Sequence, residues 1–135
     1  MTELENYIGK NEGFKDRMYK CTAGKWTLGW GFNIEDEPIP QEVADFWLKH
    51  KVQKCQYELD HFLTFYILLP ENVKTVLVDM CYNLGITRLL KFTNMLTAIQ
   101  HSDYKTAGEE LMNSAYAGQV PNRAYRNKQL LTGTL

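Results

Sequence analysis

One segment near the middle of the chain, from Pro70 to Gly85, restricts the fold more than any other. Its apolar residues recur at spacings of three and four, which places them on one broad face of a helix, and they are Val73, Val76, Leu77, Met80, Cys81 and Leu84. Proline is favoured at the start of a helix and glycine just after its end. A helix with so broad an apolar face is stable only when other elements cover that face. The sequence therefore predicts a central buried helix with further helices around it.

Two other long segments are also predicted to be helical. Residues 2–12 form an N-terminal helix, because Thr2 can cap it and Gly13 ends it. Pro40 suits the first position of a long helix that reaches about Leu63. The apolar side of that helix consists of Val43, Phe46, Trp47, Leu59, Phe62 and Leu63.

Shorter helices are predicted in the last third of the chain, over residues 94–100, 103–113 and 121–131. Thr93 can cap the first of them, either Ser102 or Asp103 the second, and Pro121 suits the start of the third.

The segment KCTAGKWTLGWGF, residues 20–32, is the one part of the chain that predicts strands. A turn at Ala23-Gly24 with alternating apolar residues after it indicates a β-hairpin over residues 18–33. The hairpin accounts for the two tryptophans and Leu28 but gives no reason for Cys21 or Thr27. A chain with one small hairpin and helices elsewhere belongs to the α+β class.

The length of 135 residues predicts a single domain, residues 1–135. Within it we expect a hairpin lobe at about residues 13–40. A larger helical lobe at about residues 41–135, joined by the N-terminal helix 2–12, completes the predicted domain.

Charge and composition exclude several functions. The net charge is −1, which gives no reason to expect nucleic-acid binding. Residues 86–135 carry six basic and three acidic residues, so this part alone is mildly basic. The N-terminal segment is charged and has no apolar core, so we do not expect a signal peptide. We expect the protein to be made in the cytoplasm. The longest apolar run, residues 62–69, is too short for a membrane span.

No metal site and no cofactor are predicted. The three cysteines lack the CxxC spacing of zinc sites, and Cys55 and Cys81 suit a core. His50 and His61 are separated from Cys55 by five and six residues on the long helix, which does not place the three on one face.

Three residues at the start of the chain form a candidate catalytic set. Glu12 lies at the predicted exit of the first helix, and Cys21 and Thr27 lie on the two arms of the hairpin. A carboxyl near apolar residues such as Phe14 and Trp26 is expected to lose hydration, which favours its protonated form. A protonated carboxyl can donate its proton to the leaving oxygen of a glycosidic bond, while Cys21 and Thr27 hold a water.

The spacing Glu12, eight residues, Cys21, five residues, Thr27 resembles the catalytic motif of the phage-type lysozymes, glycoside hydrolase family 24, where the second residue is Asp or Cys. Later segments resemble that family in order: NLG at residues 83–85, FTNML at 92–96, PNRAYR at 121–126 and TGT at 132–134. Phe32 departs from the pattern because many members have histidine there, and the loop after the hairpin is short.

The resemblance implies a lysozyme-like fold and a muramidase that cleaves peptidoglycan, the β-1,4 bond between N-acetylmuramic acid and N-acetylglucosamine, with inversion. It implies that Glu12 is the general acid and that Thr27 positions the water. Cys21 takes the place of the second carboxylate, either to position the water or as a nucleophile. The resemblance also implies that Gly31, Tyr82 and Asn83 line the substrate cleft, and that Arg123 stabilises charge beside the glutamate.

The resemblance also implies how such an enzyme works in the cell. We expect a monomer that binds glycan strands and acts on the cell wall after a holin releases it from the host cytoplasm. A virion-borne lysozyme or an antibacterial effector would use the same chemistry with another delivery. The alternative function is a non-catalytic lysozyme-like module that binds peptidoglycan without cutting it.

Overall fold

The computed structural model describes residues 1–133 and divides them into two compact units, Met1–Phe46 and Trp47 onward. The last residue of the TGT motif, Thr134, lies outside the described residues. The predicted single domain with lobes at 13–40 and 41–135 stays a prediction. Among the described residues, no helix combines the length and apolar character needed to cross a membrane.

The first unit begins with helix α1, Glu3–Glu12. A capping box stabilises its start, because the Thr2 hydroxyl accepts from the Glu5 amide at 3.1 Å and the Glu5 carboxylate accepts from the Thr2 amide at 2.6 Å. Gly13, at φ 75°, follows its last residue. The predicted helix and cap are therefore confirmed, and Glu12 occupies the last position of α1.

The predicted hairpin is present as the antiparallel pair of β1, Lys15–Lys20, and β2, Trp26–Gly29. A third strand that was not predicted, β3, Phe32–Asn33, extends it to a three-stranded sheet, because the chain reverses a second time after β2. Gly29 and Gly31 have φ angles of 69° and 74°, in the left-handed region that glycine adopts at little cost. This reversal lets Asn33 pair with Thr27.

Helix α2, Gln41–Phe62, runs from the first unit into the second. Of its predicted apolar side, only Leu59 and the adjoining Leu63 are buried. Buried positions recur every four residues, at Cys55, Leu59 and Leu63, which defines one narrow stripe on the helix. Phe46 lies away from that stripe and is 75% exposed, so its predicted packing was wrong. The same correction applies to three half-exposed residues: Val43, Trp47 and Phe62.

The core of the second unit surrounds helix α3, Glu71–Leu84. Four of its side chains are fully buried: Val73, Val76, Leu77 and Met80. Pro70 stands just before the helix, and Gly85, at φ 84°, follows it. The prediction of a central buried helix is confirmed.

Five further helices complete the second unit: α4, Ile86–Leu89; α5, Thr93–Gln100; α6, Tyr104–Met112; α7, Ala115–Gln119; and α8, Pro121–Thr132. Helix α8 packs against α3, α6 and α7, and α5 packs against α6. Asp103 caps α6 as predicted, accepting from the Thr106 amide at 3.1 Å. Thr93 is the first residue of α5 rather than its cap. The short α4 and α7, and a 3₁₀ turn at Tyr66–Leu68, were not predicted. The α+β class is confirmed.

Candidate active site

The Glu12 carboxyl lies against the turn that joins β2 to β3. A Cβ atom placed on Gly31 would come within 2.8 Å of the Glu12 Cδ, so a side chain at this position would push the carboxyl away from where it lies. The Glu12 side chain is exposed, which makes the predicted loss of hydration wrong. Phe14 contacts Trp30 instead, with ring centroids 5.2 Å apart. The structure thus brings two predicted site residues together, Glu12 and Gly31.

Cys21 and Thr27 are tied to a single backbone carbonyl, that of Lys25. The Cys21 amide donates to it at 3.0 Å, and the Thr27 hydroxyl donates to it at 2.9 Å. Thr27 is buried at 3% exposure, while Cys21 is partly buried. Because the hydroxyl proton of Thr27 is directed to the carbonyl, its oxygen lone pairs remain able to accept a hydrogen bond.

The pKa of the Cys21 thiol is lowered from its ordinary value. Hydrogen bonds at the backbone of Lys25 and Ala23 are the main cause, partial desolvation opposes them, and the Thr27 hydroxyl adds a smaller lowering. A nearby cation can also lower a thiol pKa, and Lys20 or Arg123 would be the candidates in this sequence. Lys20 instead lies with its Nζ 5.1 Å from the centroid of the Trp26 ring. The turn geometry, and not a charge, therefore favours the thiolate.

The Lys25 side chain connects this turn to the acidic loop after the sheet. Its Nζ lies 3.2 Å from carboxylate oxygens of both Glu35 and Asp36. Asn33 also binds that loop, with its Oδ1 accepting from the amides of Glu35 and Asp36 at 3.0 Å each. These contacts hold the carbonyl that Cys21 and Thr27 share, and sequence reasoning missed them.

Tyr82 and Asn83 lie at the end of α3 in the second unit, and both are exposed. The Lys51 ammonium lies 4.6 Å from the centroid of the Tyr82 ring, so one face of the ring is occupied by a cation. A sugar stacking on Tyr82 would use the other face or displace this lysine.

Arg123 has a partner that the sequence did not reveal. Its Nε and Nη2 donate to the two oxygens of Asp79 at 2.9 and 2.7 Å, and Asn127 donates to the same carboxylate at 2.9 Å. Burial acts to raise the pKa of Asp79, but the hydrogen bonds from Arg123 and Asn127 outweigh it, and the pKa is lowered. Arg123, Asp79 and Tyr82 line one cavity of about 790 Å³ within the second unit.

Cys55 and Cys81 are both buried, as predicted for core thiols. Burial, with a contribution from neighbouring Cys55, raises the pKa of Cys81 to about 12. Residues 1–133 contain no group of three histidine, cysteine or acidic side chains arranged to hold a metal ion.

Known proteins resemble this chain over most of its length. A model of the phage lysozyme family matches residues 9–129. An endolysin of Acyrthosiphon pisum secondary endosymbiont phage 1 is 30% identical over 109 residues, which cover 78% of this chain and 72% of the endolysin. Probable T4-type lysozyme 2 of Dictyostelium discoideum is 26% identical over the whole chain and 97% of its own length.

These matches identify a glycosidase of the lysozyme type. The chain belongs to the phage lysozyme family, since the family model covers most of its length. Peptidoglycan is the substrate that this membership implies.

Gly31→Ala should lower activity by about tenfold or more, because the new methyl group displaces the carboxyl of Glu12. The left-handed φ of Gly31 adds a strain of about 1–2 kcal/mol. Gly24→Ala is the matched control, since Gly24 has φ +76° but nothing within 4 Å of the added atom. Both variants should lose similar stability in urea titrations, and only Gly31→Ala should lose turnover. Equal turnover in the two variants would contradict the contact with Glu12.

Proposed function

We propose that this protein is a muramidase that hydrolyses the β-1,4 bond between N-acetylmuramic acid and N-acetylglucosamine in peptidoglycan, with inversion of the anomeric carbon. The observation that carries the proposal is the arrangement in the first unit. An exposed carboxyl lies at the end of α1 on a bare glycine backbone, and the backbone amide of Cys21 and the hydroxyl of Thr27 donate to the same carbonyl, that of Lys25.

In the proposed reaction Glu12 donates its proton to the glycosidic oxygen that leaves. A water molecule attacks the anomeric carbon from the opposite side and gives its proton to a base. Thr27 accepts a hydrogen bond from this water, because its own proton is held by the Lys25 carbonyl. Cys21 takes the water proton as a thiolate, which its lowered pKa favours. Acid and base are different groups, as inversion requires.

We extend the proposal to the remaining residues that the resemblance singles out. Tyr82 and Asn83 contact the sugar, and Arg123 supplies positive charge to the reaction. The enzyme needs no cofactor and works as a monomer on glycan strands. It is made in the host cytoplasm and reaches the cell wall after release by a holin.

The test is the anomeric form of the product. Purified peptidoglycan is digested with wild-type protein, and the first reducing ends are followed by NMR before they mutarotate. Release of the α-anomer supports inversion, and release of the β-anomer contradicts it. Glu12→Gln protein serves as the control for contaminating hydrolases.

Cys21 variants separate its two proposed roles. Cys21→Asp should keep or raise turnover, because a carboxylate polarises the same water more strongly. Cys21→Ala should lose most activity, since the water loses its base. Initial rates on labelled peptidoglycan check both variants. A covalent thioether between Cys21 and the sugar, detected by mass spectrometry together with a retained anomer, would show that Cys21 is a nucleophile.

A second candidate function is a binding module that holds glycan strands without cleaving them. The observation that favours it is the thiol at position 21, because a thiol of ordinary pKa is mostly protonated at neutral pH, whereas a carboxylate there would be ionised and able to accept a proton. Such a module would sediment with peptidoglycan and release no reducing ends. Loss of turbidity in outer-membrane-permeabilised Gram-negative cells would exclude it.

A further inference from the structure

The carboxylate of Asp79 is the centre of a side-chain network in the second unit. Both of its oxygens are used by Arg123, and the Oδ2 also accepts from Asn127. Two parallel hydrogen bonds fix the plane of a guanidinium as well as its position. Asn127 is 4% exposed and lies one turn after Arg123 on α8, so the network joins the middle of α3 to the start of α8.

The network differs from an ordinary surface ion pair. The side chains of Arg123 and Asp79 are 31% and 32% exposed, so the pair is largely shielded from water. Exposed pairs contribute little, because flexible side chains lose entropy and water screens the charges. Here the buried amide of Asn127 holds the carboxylate, and the carboxylate holds the arginine.

The pairing leaves part of the guanidinium unused. A guanidinium has five N–H groups, and Asp79 takes two of them. Within the described part of the second unit the other three donate to no protein atom, and Arg123 lines the cavity that Tyr82 also borders. A guanidinium whose plane is fixed and whose remaining N–H groups are free can stabilise a negative charge that develops at one position in the transition state.

We propose that Asp79, held by Asn127, is the residue that positions Arg123 for the muramidase reaction. The inference rests on the proposed function, in which Arg123 supplies positive charge. Asp79 itself contacts neither substrate nor reacting atoms in this account. It acts by fixing the orientation of the Arg123 guanidinium.

The first experiment compares kcat and KM of Asp79→Asn in two backgrounds, wild type and Arg123→Ala. An asparagine offers one acceptor oxygen and turns an NH₂ group toward the guanidinium, so Arg123 loses one of its two hydrogen bonds to position 79. We expect kcat to fall about 10- to 100-fold with a smaller change in KM. In the Arg123→Ala background the same change should cause no further loss, because the group that Asp79 positions is gone.

Two conservative variants test orientation without removing charge. Asp79→Glu keeps both acceptor oxygens and should restore part of the kcat lost in Asp79→Asn. Arg123→Lys keeps the charge but lacks the guanidinium, and should lose about as much kcat as Asp79→Asn. Arg123→Lys leaves Asp79 intact, so it tests the inference even if Asp79→Asn does not fold.

Glu109→Gln is the matched control. Glu109 is an exposed carboxylate on α6 of the same unit, and it does not line the cavity that Arg123, Asp79 and Tyr82 share. Its removal should leave kcat unchanged. Two results would overturn the positioning role of Asp79 but leave the proposed function standing. One is an equal loss of kcat from Asp79→Asn in both backgrounds, and the other is a wild-type kcat in Arg123→Lys. A wild-type protein that releases no reducing ends would overturn the proposed function and this inference with it.

Discussion

Glu12→Gln should abolish lysis while the protein remains folded. The amide has nearly the shape of the carboxyl but cannot donate an acidic proton to the leaving oxygen. Proton donation by a positioned acid contributes about 10²–10⁴-fold to rates of this kind. Because Glu12 is exposed and its contact is a glycine backbone, the substitution disturbs no core packing. Reducing-end release from peptidoglycan measures the activity, and thermal melting by circular dichroism measures the fold.

Glu3→Gln is the control for this variant. Glu3 is an exposed carboxylate in the first turn of the same helix, α1, so the change in net charge is identical. Its turnover should equal that of the wild type. Full turnover in Glu12→Gln at an unchanged melting temperature would remove Glu12 from the mechanism.

Leu77→Ala should lower the free energy of unfolding by about 2–5 kcal/mol, the range for a leucine truncated inside a packed core. Leu77 is 0% exposed and lies in the middle of α3, where the surrounding helices cannot all close the cavity. Urea titration followed by tryptophan fluorescence gives the value. Activity per folded molecule should change little, because Leu77 belongs to the core and not to the candidate site.

Leu68→Ala is the matched control for Leu77→Ala. Leu68 is 84% exposed, so the same truncation removes almost no buried surface. Its effect should stay within about 0.5 kcal/mol. A similar loss in both variants would mean that α3 is not the centre of the core.

The fold was predictable where the sequence pattern depends on burial or on local backbone chemistry. Helix α3 was recognised because its apolar residues recur at helical spacing on one broad face, and α1 because Thr2 and Gly13 mark its ends. The third strand was missed because it is only two residues long and depends on left-handed glycines at 29 and 31. Periodicity cannot reveal a strand of that length.

The candidate site was predictable only through the resemblance to a family. Spacing alone did not single out Glu12, Cys21 and Thr27 among the other polar residues. The contact of Asp79 with Arg123 was missed because the two residues are 44 positions apart in the chain. One signal was present: Asp79 is the single charged residue between Val76 and Leu84, a segment that also contains the buried residues Leu77, Met80 and Cys81. A charge in that setting requires a partner.

The state of the three thiols makes this protein convenient for labelling. Cys55 and Cys81 are shielded in the core, and the pKa of Cys81 near 12 keeps it protonated in ordinary buffers. Cys21 is partly accessible, and its pKa is lowered. A maleimide dye at neutral pH should therefore attach at one place in the native protein. That dye would occupy the place beside Thr27 that the proposed water needs, so activity should fall in step with the fraction of protein labelled.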